Sequence, residues 1–108
     1  MRERLRLNRQ PTLEDFQKYV RKVMDASGQE ADRVDQVLLL SEHLGRLAKA
    51  MRVDAGLFYH KGSQIPKADD ALAGLLFSTF NLANRLGIDL EAAFRARERR
   101  QKRRKSRE

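Results

Sequence analysis

Three ionisable side chains, Glu42, His43 and Arg46, crowd one turn of the segment LLLSEHLGRLAKA, Leu38 to Ala50. Glu42 and Arg46 are four residues apart and so share a face of a helix, with His43 one step round from Glu42. A carboxylate there could ligate a hard cation through oxygen. An arginine there could instead clamp a phosphate directly, helped by Lys49, His43 or Lys61, or pair with Glu42 across the turn. His60 stands beside Lys61 in the stretch FYHKG; its plain reading is a solvated loop histidine, its alternative a phosphate or base contact. The chain has no cysteine, so disulfides and thiolate metal sites are not available to it.

Four helices must position these residues. Thr12 reads as an N-cap with Asp15 in capping-box register, and Leu13, Phe16, Val20, Val23 and Met24 recur at helical spacing up to a stop at Gly28. A second helix is expected from Asp32 to Val53, with Val34, Val37, Leu38, Leu40, Leu44, Leu47 and Met51 as its inner stripe. Leu39 widens that stripe and suggests burial on more than one side. DAGLFYHKGSQIPKADD reads as mostly loop, from Gly56, Gly62, Ser63 and Pro66. A third helix begins at Lys67 or Asp69 and ends before Gly87, carrying Leu72, Leu75, Leu76, Phe80, Leu82 and Ala83. Asp89 caps a fourth, whose apolar residues Leu90, Ala93 and Phe94 give out into RARERRQKRR. No strand alternation is visible, so the expected fold is an all-α four-helix bundle. Its organisation is a basic extension over 1–11, a helical domain over 12–94 and a basic helix extension or tail over 95–108.

The charge is concentrated at that tail. Nine Lys or Arg face two Glu from Arg95 to Glu108, a local +7 out of a total of +8, which leaves +1 for everything before it. The plain expectation is a solvated extension of the fourth helix or a frayed terminus. The alternative is sequence-neutral nucleic-acid binding through Arg99, Arg100, Lys102, Arg103, Arg104 and Lys105. No aromatic residue interleaves the tail, so stacking of single-stranded bases is not indicated. No apolar run reaches the ~20 residues of a membrane span, and a cytoplasmic protein is the plain expectation.

At the level of actual words, NLANRLGIDLEAAF (Asn81 to Phe94) resembles the third-to-fourth helix junction of the MazG-like all-α nucleoside triphosphate pyrophosphohydrolases. TLEDFQKYVRKVM is similar to their first helix and LLLSEHLGRLAKAM to their second, so the resemblance covers roughly Thr12 to Arg104. It implies a bundle that pairs with further copies, as a dimer or a dimer of dimers. It also implies Mg²⁺-dependent cleavage between the α- and β-phosphates of a nucleotide. The family's second helix bears E-E-x-x-E and its third E-x-x-D, acids that hold Mg²⁺ for in-line attack by water.

Carried over residue by residue, the first Glu falls on Glu42, the second on His43 and the third on Arg46. On the third helix the Glu falls on Ala71 and the Asp on Gly74. Gly45, Leu44 and Leu47 fall on matching positions, which fixes the register. Asp69 and Asp70, one or more steps out of that register, read as favourable charge at a helix N-terminus. Mg²⁺ binds imidazole poorly, and Arg46 puts positive charge where the metal's counter-charge belongs. At about 4 Å and an effective dielectric near 20, like unit charges repel by roughly 4 kcal/mol. The expectation is therefore a non-catalytic relative, with Glu42 as the remnant of the metal site and no cofactor. It would serve as a nucleotide- or phosphate-binding or protein-interaction module, with Arg46, Lys49, His60 and Lys61 as phosphate candidates. An active pyrophosphohydrolase using Mg²⁺ on displaced ligands is the alternative.

Overall fold

The computed structural model describes residues 5–28, 32–57, 62 and 64–106, and these form four helices and no strand: α1 (Leu13–Ser27), α2 (Arg33–Asp54), α3 (Ala68–Leu86) and α4 (Leu90–Ser106). The helix ends follow local chemistry. Thr12 and Asp15 close a reciprocal capping box, each side chain accepting the other's backbone N–H. Asp32 caps α2 by accepting from the Asp35 N–H, and Asp89 caps α4 by accepting from the Ala92 N–H. Gly28 and Gly87 end α1 and α3 at φ 68°, a left-handed conformation that costs glycine little.

α3 is the central helix. α2 lies along it, α1 packs on it from another side, and α4 touches α1. Phe80, 1 % exposed, anchors the α1–α3 contact by stacking on Phe16 with ring centroids 5.4 Å apart and planes parallel to 1°. Val20, Ala71 and Ala83 complete a small apolar core with Ala50.

Polar side chains do much of the joining. Gln17 of α1 is buried, and its amide donates to Asn84 Oδ1 (3.2 Å) and to the Ile88 carbonyl (2.9 Å). Its Oε1 accepts from the Leu90 N–H at 2.8 Å, the first residue of α4, while Asn84 Nδ2 donates back to the Gln17 carbonyl. One glutamine thus ties α1 to both sides of the α3–α4 corner. Between α2 and α3, the fully buried Gln36 accepts a hydrogen bond from Asn81, and its own Nε2 finds no acceptor among the described residues.

The expected inner stripe of α2 requires correction. Val34 is 67 % exposed, Met51 62 % and Leu44 57 %, and Val37, Leu38 and Leu39 are exposed as well. The residues turned to α3 are Gln36, Leu40, His43, Leu47 and Ala50, buried or half-buried at alternating steps of four and three. A second seam in the same rhythm, Val34, Val37, Ser41, Leu44, Ala48 and Met51, faces outward. Two seams share one helix, and among the described residues the first is covered while every residue of the second is exposed. Leu72 and Leu76 of α3 and Phe94 of α4 are exposed too. The Cα radius of gyration is 17.4 Å, where a compact chain of this length measures about 13 Å, in keeping with an opened-out arrangement.

Candidate functional site

Gly74 faces α2 from the middle of α3, and what lies against it is the ring of His43. A Cβ added to Gly74 would stand 2.5 Å from His43 Nδ1, 2.7 Å from Cε1 and 3.1 Å from Cγ. The imidazole therefore fills the space that any longer side chain at position 74 would need. One helical turn earlier on α3, Ala71 is 3 % exposed and contributes only a methyl group.

Beside that contact is a cleft of about 390 Å³, walled by His43, Arg46 and Lys49 of α2, by Gln64, Ile65 and Pro66 of the incoming loop, and by Asp70 and Ala71 of α3. Arg46 and Lys49 bring two positive charges to its lining against one negative charge from Asp70, and Arg46 is also paired with Glu42. Asp69, next to it, accepts the Asp70 N–H at 2.7 Å and so spends one carboxylate oxygen on the first turn of α3, whose N-cap Lys67 offers no side-chain cap. Glu42 stands on the outer shoulder of α2 and pairs with Arg46 at 3.4 Å. Both side chains are more than half exposed, and an exposed pair of this spacing stabilises a helix by about 0.3–0.5 kcal/mol.

The structure thus gathers His43, Arg46, Lys49 and Ala71 at one cleft, sets Gly74 under the His43 ring, and leaves Glu42 outside it. His60 and Lys61 lie outside the described residues. A divalent cation needs several oxygen ligands. The five positions marked by the resemblance offer an ion-paired carboxylate, an imidazole, a guanidinium, a methyl and a bare Cα, a set that does not fit Mg²⁺, and Asp70 is the one carboxylate in the cleft's described lining. Among the described residues no group of three or more His, Cys, Asp or Glu side chains could hold a metal ion.

The tail candidates Arg99, Arg100, Lys102, Arg103, Arg104 and Lys105 are all exposed on α4. Lys102 pairs with Glu98 at 3.2 Å and Arg95 with Glu91 at 3.2 Å, both four residues apart. Among the described residues no helix is long and apolar enough to cross a membrane.

A second cleft, of about 430 Å³ between α1 and α3, was not foreseen from the sequence. Arg21, Asp25, Asn81, Asn84 and Arg85 line it. The polar face of an amphipathic α1 hides it, since such residues read as solvated surface. Its two asparagines are engaged with Gln36 and Gln17. Comparison with protein-family models, with curated proteins and with solved structures finds no match to the chain.

Proposed function

We propose that this chain is a non-catalytic MazG-like module that binds a phosphorylated ligand, such as a nucleotide, without metal and associates with a second copy of itself. The observation that carries the reading is the His43 ring seated on Gly74 beside the cleft lined by Arg46 and Lys49. Where the resemblance calls for two acids facing each other across α2 and α3, this pair is an imidazole over a glycine, and the neighbouring acid positions are an arginine and a methyl group. An arginine fork and a lysine ammonium are suited to phosphate oxygens, and each supplies charge with no cation between. Self-association is supported by the outward seam of α2, whose 3–4 rhythm matches the pattern by which helices pair.

The test is calorimetry with inorganic tripolyphosphate in EDTA, alongside a pyrophosphate-release assay over a nucleotide panel with Mg²⁺ and Mn²⁺. Tripolyphosphate should bind, and Arg46→Ala with Lys49→Ala should weaken binding at least tenfold. Binding that ignores both substitutions would remove the anion site from the reading. Nucleotide turnover above background that disappears in Glu42→Ala would establish the catalytic alternative instead.

A further inference from the structure

α4 departs from the rest of the fold after its first turns. Leu90, Glu91 and Ala96 are half-buried, and from Arg97 through Lys105 every residue is exposed. It nevertheless stays helical to Ser106. Eight cations lie between Arg95 and Lys105, against the single acid Glu98, which is held by Lys102. At 100° per residue these cations surround the helix, with no gap between neighbours wider than about 80°. That distribution excludes two bland uses of a basic helix. An interfacial membrane helix needs an apolar face opposite its cations, and this stretch has none. A partner-facing amphipathic helix needs a stripe of anchors, and after Phe94 the only apolar residue is Ala96.

A rod that is positive on all sides suits a groove with negative walls on both sides. Residues 95–106 span about 18 Å of helix with a diameter near 10–12 Å including side chains. The major groove of B-form DNA is about 12 Å wide and admits an α-helix between two phosphate backbones. A-form RNA offers a deep, narrow major groove instead, and single strands are held mainly by successive aromatic stacking, which α4 beyond its one aromatic residue, Phe94, does not supply.

We propose that α4 is a DNA-binding arm that lies in the major groove of duplex DNA and holds it through the phosphates, without regard to sequence. The exposed Arg97, Arg99, Arg100 and Arg104 make the main contacts. The proposal is independent of the α2–α3 cleft and stands or falls separately from it.

The experiment is fluorescence anisotropy of the full chain with a labelled 20-base-pair duplex of mixed sequence, across a salt series. Five neutralised phosphates would give a slope of log affinity against log salt near −4.5. Changing Arg97, Arg99, Arg100 and Arg104 together to Gln should flatten the slope by about 3–4 and lower affinity at least tenfold at 0.1 M salt. Changing the same four to Lys should leave the slope in place. Gln101→Pro keeps every charge but breaks the rod, and should weaken binding several-fold. A wild-type slope shallower than about −2, or Gln variants that bind like wild type, would overturn the proposal. So would indifference to Gln101→Pro, which would make the segment a flexible polycation. Equal or tighter binding to duplex RNA, to single-stranded DNA or to anionic phospholipid vesicles would overturn it as well. Circular dichroism of the Gln variants confirms that the helices persist.

Discussion

Adding one methyl group to Gly74 separates the contact described here from ordinary helix energetics. In a helix interior, Gly→Ala stabilises by about 1 kcal/mol, because alanine loses less backbone freedom on folding. At position 74 the new Cβ would meet three atoms of the His43 ring at 2.5, 2.7 and 3.1 Å. Turning the ring about χ2 cannot relieve all three, since Cγ is itself one of them, so the whole imidazole must swing away by a change in χ1. Overpacking of this kind costs about 1–3 kcal/mol. Gly74→Ala in the wild-type chain should therefore be destabilising by about 0–2 kcal/mol once the helical gain is subtracted. In a His43→Ala background the ring is gone, and the same change should stabilise by about 1 kcal/mol. The coupling in the double-mutant cycle is then about 1–3 kcal/mol. Urea unfolding of the four proteins measures it, at one fixed protein concentration because association would itself shift stability. A Gly74→Ala that stabilises equally in both backgrounds, with coupling below about 0.5 kcal/mol, refutes the seated ring and the reading of the cleft built on it.

Gln17→Leu removes the three side-chain hydrogen bonds at the α3–α4 corner and should cost about 2–4 kcal/mol in urea unfolding, with faster amide exchange at Leu90. Asp15 is held below its ordinary carboxylate value of 3.8, chiefly by the Thr12 backbone N–H and then by the Asn8 side chain. Its stabilising contribution is therefore complete above that ordinary value and is lost as pH falls through the lowered one. An acid titration of stability should accordingly fall more steeply for the wild type than for Asp15→Asn. Leu44→Glu places charge in the middle of the outward α2 seam and should turn the associated species into monomer by analytical ultracentrifugation while the helix content is kept. Gly87→Ala forces a Cβ into the left-handed corner at φ 68° and should destabilise by about 1 kcal/mol, read as a lowered urea midpoint.

The helix ends were legible because they rest on local chemistry. Thr12 with Asp15, Asp32, Asp89, Gly28 and Gly87 each act within three or four residues of where they stand. The inner face of α2 was not legible, for a reason visible in its own residues. Val34, Leu44 and Met51 on one seam are more apolar than Gln36 and His43 on the other, so hydrophobicity alone selects the wrong side. The winning seam depends on partners 31 to 45 residues away, Gly74 for His43 and Asn81 for Gln36, and no periodicity encodes such pairings. For the candidate site, the replacement of acids at positions 43, 46, 71 and 74 could be read directly against the resemblance. That two of these replacements, His43 and Gly74, interlock as ring and hollow could not, since it needs the relative rotation of two helices.

The carboxamide of Gln17 also sets an aim. Its Oε1 holds the first backbone N–H of α4, so one side chain of α1 helps to set the pose of a 17-residue helix at its base. Such a helix is a lever about 25 Å long, and a tilt of 10° at Leu90 would carry its far end about 4 Å sideways. Small adjustments of α1 are thereby magnified into displacements comparable with the spacing between neighbouring side chains at the other end of the arm.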